Sequence, residues 1–207
     1  MRKKHSSSTI LLASNNPGKV AELQTLLADM QGLGLLTPAD LGLDLEVVED
    51  GSSYAENAAK KALAFSKASG IMCLADDSGL EVEALDNAPG LYSARYAPKK
   101  GADDADRRAF MLKQLKGKTE PWKAVFRSTV CVATNGGELH YAEGECIGRI
   151  IPEERGGGGF GYDPIFMLEG EKRTMAELGT DEKNLVSHRA RAIIGIKPIL
   201  KKILSSD

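Results

Sequence analysis

Short apolar runs alternate with amphipathic stretches through the first half of the chain, and a hairpin pattern follows in the second. Thr9 to Ala13 reads as a buried strand, and Val20, Leu23, Leu27 and Met30 then recur at helical spacing. The polar segment Ser14-Asn15-Asn16-Pro17-Gly18-Lys19 therefore lies between a strand and the first turn of a helix. Leu45 to Val48 reads as a second strand, ending at Glu49-Asp50-Gly51. Tyr54 to Ala68 reads as an alanine-rich helix with Ala58, Ala62 and Phe65 on one face. Ile71 to Ala75 is a third buried strand that runs into Asp76-Asp77-Ser78-Gly79, and Ala88-Pro89-Gly90 is a turn. Asp103 to Lys116 reads as a charged amphipathic helix. Ala124 to Ala133 and Leu139 to Ile147 flank Asn135-Gly136-Gly137, a hairpin signal. Asp181 to Leu204 is helical by pattern, with Pro198 expected to kink or split it. Strands that alternate with helices and then form a hairpin predict an α/β fold with a mixed sheet.

The length of 207 residues fits one domain at roughly 150 residues per domain. We expect a flexible end over residues 1–8 and a single domain over 9–207. The N-terminal end is basic but lacks the apolar stretch of a signal peptide, and no apolar run approaches membrane-spanning length. A net charge of −2 argues against a nucleic-acid duplex as partner, so any phosphate chemistry must rest on locally placed cations. The three cysteines, Cys73, Cys131 and Cys146, show no C-x-x-C spacing and suit reduced thiols in a cytoplasmic protein.

Four segments carry candidate chemistry. Ser14 to Lys19 places asparagine side chains, main-chain N–H groups and a lysine at a helix start, which suits an anion; a plain turn with Asn capping is the competing reading. Asp76 and Asp77 are paired carboxylates at the end of an apolar strand, and they suit Mg²⁺ with its oxygen ligands. Glu49 or Glu56 would complete such a site. Residues 156–166 place five glycines, two aromatics and one carboxylate within eight positions. There Phe160 and Tyr162 could line a flat ring, while Asp163 accepts from ring N–H groups. A glycine hairpin with both aromatics packed on the core is the alternative. Lys183 with His188-Arg189 adds cations, and Arg95 and Lys61 are weaker candidates. Together these segments offer an anion cradle, a metal site, extra cations and a base slot, the four needs of a metal-bound nucleoside triphosphate.

Ser-Asn-Asn-Pro-Gly-Lys, Ala-Asp-Asp-Ser-Gly-Leu, Gly-Gly-Phe-Gly-Tyr-Asp-Pro-Ile-Phe and Ser-His-Arg, in this order, resemble the inosine/xanthosine triphosphate pyrophosphatase family. The likeness runs from about Ile10 to Leu204 and includes Glu56-Asn57-Ala58 and the segment Pro89 to Tyr96. It implies a two-lobed fold around a long mixed β-sheet with flanking helices and a central cleft, and a homodimer. It also implies Mg²⁺-dependent hydrolysis of ITP, dITP or XTP to the monophosphate and pyrophosphate. By the same resemblance Asp77 is general base and metal ligand, Glu49 is the second metal acid, and Ser78 touches substrate. Phosphate and base contacts fall on Ser14, Asn15, Asn16, Pro17, Gly18, Lys19, Phe160, Gly161, Tyr162, Asp163, Lys183, His188 and Arg189. Asp76 would tune or orient the acid pair, and Lys19, Lys183 and Lys61 would offset charge on the leaving pyrophosphate. Gly156 to Gly158 would serve as a hinge. A pyrophosphatase for other nucleoside triphosphates and a non-catalytic nucleotide sensor are the competing functions.

Overall fold

The computed structural model describes residues 8–206. Among them seven strands join one mixed sheet: β1 (Ser8–Leu12), β2 (Leu33–Leu36), β3 (Cys73–Val82), β4 (Pro89–Gly90), β5 (Trp122–Ala133), β6 (Leu139–Ile150) and β7 (Phe166–Leu168). The strand order is β2-β1-β3-β5-β6-β7, with β4 paired to β3. β1 is parallel to β2 and β3, whereas β4 is antiparallel to β3 and β7 antiparallel to β6. Five α-helices accompany the sheet: α1 (Pro17–Leu27), α2 (Tyr54–Ser69), α3 (Asp104–Leu115), α4 (Thr180–Val186) and α5 (His188–Ser206). The α/β expectation with a mixed sheet is therefore met. The expected flexible end lies outside the described residues except for Ser8, with which β1 begins.

The chain divides into two units. The first holds residues up to Asp77, Thr129–Glu143 and those from Ala192 onward; the second holds Ser78–Ser128 and Gly144–Arg191. The core of the first follows from strand alternation, because successive side chains leave opposite faces of a strand. Leu11, Ala13, Cys73 and Ala75 occupy one face and meet Ala58, Ala62 and Phe65 of α2. Those three helix positions are the predicted apolar stripe, and small alanines let α2 lie close to the strands. Ser53 caps its start by accepting from Glu56 N–H, and Gly70, left-handed at φ 69°, ends it. The second unit is built on bulkier side chains, among them Leu80, Trp122, Phe126, Ile150 and Phe166. α3 contributes Met111 and Leu115, four residues apart on one face, and starts from a capping box of Asp103 and Asp106.

Three expectations are corrected. The strand predicted over residues 45–48 joins no ladder; its alternation is real, since Leu45 and Val47 pack on the first core, but the second strand is Leu33–Leu36. β3 does not end before the aspartates but carries on through Asp76 and Asp77 to Val82. The last helix breaks at Ser187, not at Pro198. Ser187 is extended (φ −68°, ψ 154°) and its hydroxyl accepts from Ala190 N–H at 3.1 Å, so it caps α5. Pro198 sits inside α5 on its exposed side, one turn after the exposed Ile194. Cys73, Cys131 and Cys146 are buried and free, as reduced thiols. Among the described residues no helix is long and apolar enough to cross a membrane.

Candidate active site

Continuing β3 through the acid pair gives the two aspartates different surroundings. Asp77 falls on the same strand face as Cys73 and Ala75, toward α2, and Asp76 on the opposite one. α2 meets Asp77 with Asn57 and Lys61, which share a helix face because they are four residues apart. The Asn57 Nδ2 group donates to Asp77 Oδ2 at 3.0 Å, and Lys61 Nζ stands 3.5 Å from Asp77 Oδ1. The same ammonium donates to the Asp76 main-chain carbonyl at 2.7 Å and pairs with Glu49 Oε1 at 2.9 Å. Asp76 pairs instead with Lys19 of α1, Nζ to Oδ2 at 2.9 Å.

Burial pushes the Asp77 carboxyl up. Lys61, Lys19 and the Asn57 amide pull against that and Glu49 adds to it, so the group stays above the ordinary aspartate value. Burial works against the Lys61 ammonium too, but Asp77, Glu49 and Asp76 outweigh it and hold the lysine above its usual value. A buried carboxylate with a raised pKa and a fixed cation beside it can act as a proton acceptor near neutral pH.

Glu49 and Glu56 separate clearly. Glu56 Oε2 accepts from Ser52 N–H at 2.7 Å and from the Ser52 hydroxyl at 3.0 Å, a helix-start role. Glu49 shares Lys61 with Asp77. Its approach depends on Gly51, whose N–H donates to Asn57 Oδ1 at 2.8 Å; a Cβ there would lie 2.6 Å from that oxygen. Asn57 thus holds both the incoming segment and Asp77, a role that sequence reasoning missed. Its signal was Asn57 and Lys61 at helical spacing, with a glycine six positions before the asparagine.

The acceptors around Lys61 Nζ are all oxygens, from two carboxylates and one main-chain carbonyl. Among the described residues no three His, Cys, Asp or Glu side chains form a metal cage. Two hard carboxylates suit Mg²⁺, which takes one or two from protein and completes its shell with water and phosphate oxygens. Glu49 and Asp77 therefore fit that ion.

Ser14 to Lys19 forms the turn into α1. Asn16 Oδ1 accepts from Lys19 N–H at 3.1 Å as the helix cap, and Asn16 N–H donates to the Ser14 hydroxyl at 3.2 Å. Pro17 opens the helix, and Asn15, Asn16 and Pro17 are exposed. The capping alternative is thus realised, and Gly18 and Lys19 lie in the first turn, at the positive end of the helix dipole.

The second unit gathers the aromatic and cationic candidates. Phe160 is half-buried, with Lys183 Nζ 5.0 Å and Arg189 Cζ 5.6 Å from its ring centroid. Arg189 is 1% exposed and donates to the Ser78 hydroxyl at 3.1 Å. His188 stacks on Phe126 at 4.7 Å between centroids. The Ser187 cap explains their placement, because it puts His188 and Arg189 in the first turn of α5. Two expected base contacts have other partners here. Tyr162 is buried in the second core and its hydroxyl donates to Ser93 O at 2.9 Å. Asp163 is buried, paired with Lys183 at 2.6 Å and accepting from Phe160 N–H at 2.9 Å. Arg95 lies over the exposed Tyr92 ring at 4.9 Å.

The glycine run is tied to its neighbours at two points. Gly158 N–H donates to Ala176 O at 3.0 Å, and the Thr174 hydroxyl donates to Arg155 O at 2.8 Å. Gly159 combines φ 70° with a site where any Cβ would overlap the Asp163 carboxylate. Gly159→Ala should therefore lower stability by about 1–3 kcal/mol and disturb the Asp163–Lys183 pair. Gly157→Ala, with open space at its Cβ, is the control and should stay within about 0.5 kcal/mol in chemical denaturation. Equal effects from both substitutions would refute this account of Gly159.

The profile of the Ham1 family matches residues 10–199. A protein of Desulfotalea psychrophila described as a dITP/XTP pyrophosphatase is 45% identical over 195 residues, covering 94% of this chain and 86% of that protein. One from Desulforamulus reducens with the same description is 45% identical over 197 residues, covering 94% and 96%. The solved structure of a HAM1 protein from Coxiella burnetii superposes with a TM-score of 0.84 at 37% identity, covering 94% of this chain and 99% of that one. With near-complete coverage in profile, sequence and structure, the chain belongs to the Ham1 family.

Proposed function

We propose that the chain hydrolyses aberrant purine nucleoside triphosphates, ITP, dITP and XTP, to the monophosphate and pyrophosphate, with Mg²⁺ as cofactor, as a cytoplasmic homodimer. The relatives described as dITP/XTP pyrophosphatases support the substrate class. The observation that carries the chemistry is the arrangement of Asp77, Asn57, Lys61 and Glu49. Asp77 accepts the proton of the attacking water, and Asn57 and Lys61 fix its carboxylate for that purpose. When bound by Glu49 and Asp77, Mg²⁺ supplies Lewis-acid polarisation and a more acidic water. Lys19 and Lys61 offset charge that builds on the leaving pyrophosphate.

Base selection follows from hydrogen-bond donors. Hypoxanthine and xanthine offer a 6-oxo acceptor where adenine offers an amino donor. Arg189, which has no acceptor, pairs with the first and is left opposed by the second. Leaving a buried polar group unmatched costs about 1–3 kcal/mol, roughly tenfold to a hundredfold in preference. Pyrophosphate release measured with ITP, dITP, XTP, GTP and ATP, with Mg²⁺ and with chelator, tests both claims. ITP and XTP should exceed ATP by at least that factor, and chelation should abolish release. Equal rates on ATP would overturn the specificity, and release that survives chelation would overturn the metal dependence. Sedimentation of the purified protein tests the dimer.

A further inference from the structure

The first turn of α3 lies far from the glycine segment in sequence, yet it takes hold of its main chain. Asp104 and Arg108 are four residues apart and so share one face of α3. Asp104 Oδ2 accepts from Gly161 N–H at 2.7 Å, and Arg108 Nη1 donates to Gly161 O at 2.8 Å. The second arm of Arg108 pairs with Glu154 at 2.9 Å, on the segment that leads into the glycine run. Asp104 is itself held by Arg107, whose guanidinium also donates to Ala102 O at 2.7 Å and Ala94 O at 3.1 Å. Despite partial burial, Arg107 and the Gly161 N–H keep Asp104 below the ordinary aspartate value, so it is a carboxylate at neutral pH.

These bonds complete a set around one side chain. Phe160 N–H is held by Asp163, and the next N–H along the chain, that of Gly161, is held by Asp104. Both peptide groups that flank Phe160 are thus fixed by carboxylates, and the following carbonyl is fixed by Arg108. Phe160 carries the half-exposed ring beside Lys183 and Arg189. A glycine-rich segment has little stiffness of its own, so the direction of that ring must come from such external bonds.

We propose that Asp104 and Arg108 are positioning residues for the purine ring: they clamp the main chain at Gly161 and so set the orientation of Phe160. The proposal rests on the function argued above. Both residues spend their hydrogen bonds on protein partners, Gly161 among them, so the clamp acts through Phe160 on the base.

The test compares wild type with Asp104→Asn, Arg108→Met and Arg108→Lys, using ITP turnover and product inhibition by IMP and by pyrophosphate. Asp104→Asn and Arg108→Met should each raise the KM for ITP and the Ki for IMP by about tenfold to a hundredfold, as expected on losing a charge-assisted hydrogen bond. kcat should stay within about threefold, and the Ki for pyrophosphate, which has no base, should not move. Arg108→Lys can reach one acceptor in place of two and should fall between. Unchanged KM and Ki values would overturn the proposal, as would a fall in kcat at constant KM. So would IMP and pyrophosphate weakening together, the mark of general disruption. Thermal unfolding is followed in parallel; if the first two variants unfold at assay temperature, the lysine variant decides on the same criteria. Absence of ITP turnover in wild type would instead overturn the functional reading, an outcome distinct from every result on the variants.

Discussion

Asp77→Asn is expected to lower kcat for ITP by about 10²–10⁴-fold, the range that a positioned proton acceptor contributes. The substitution is close to isosteric and leaves the β3 backbone in place. What it removes is the basic oxygen. Asp77 has Asn57 Nδ2 on one oxygen at 3.0 Å and Lys61 Nζ near the other at 3.5 Å. An amide cannot accept at both, so one donor would face another donor. Binding of nucleotide should survive, since the substitution removes no cation, and calorimetry with a slowly hydrolysed ITP analogue measures this separately. Asp76→Asn makes the contrast. Asp76 is paired with Lys19, on the other strand face from Asp77, and its carboxylate is not the oxygen set around Lys61. Its loss should therefore reduce kcat less than the loss of Asp77. An Asp77→Asn enzyme within about tenfold of wild type would remove Asp77 from the role of base.

The difference between the two aspartates also marks what the sequence could reveal. The pair stands out in any reading, and the stripe Ala58, Ala62, Phe65 predicts the helix that faces it. Ending the strand at Ala75 hid the distinction, because alternation assigns Asp76 and Asp77 to opposite faces only when the strand runs through them. Such local patterns are legible because they depend on spacing along a few residues. The partners are not, because they are fixed by the fold: Asn57 reaches Asp77 across 20 positions, and Asp104 reaches Gly161 across 57. Tyr162 shows the same limit from the other side. A tyrosine beside glycines suits a base slot or a core equally, and nothing in the local pattern announces the Ser93 carbonyl that takes its hydroxyl or the second core in which it is buried. Leu45 and Val47 alternate as a strand would, yet a strand also needs a neighbour to pair with, and none is encoded locally. Ser187 was legible in principle, because a serine before His-Arg is a helix-start signal.

Asp163→Ala should destabilise the second unit by about 3–5 kcal/mol. The Lys183 and Asp163 side chains are 7% and 5% exposed and 2.6 Å apart, so solvent does little to screen them. Removing the carboxylate leaves a buried ammonium without that partner and takes the acceptor from Phe160 N–H. Replacing both residues, as Asp163→Leu with Lys183→Met, removes the charge along with its partner. Stability should then return to within about 1–2 kcal/mol of wild type, since a buried pair gains little over apolar side chains of similar size. Catalysis should not return with it. Lys183 Nζ lies 5.0 Å from the Phe160 ring centroid, so the double variant keeps a folded second unit while the ring has lost one of its two cations and the Asp163 tether on its N–H. Urea unfolding of the two variants gives the stability difference, and ITP kinetics on the double variant gives the KM. A single variant that costs under about 1 kcal/mol would mean that the pair is solvated, and a double variant with wild-type KM would mean that Phe160 needs neither residue to hold a base. Stability recovered with the KM still raised would show that Asp163 and Lys183 serve nucleotide binding and not only the energy of their own contact.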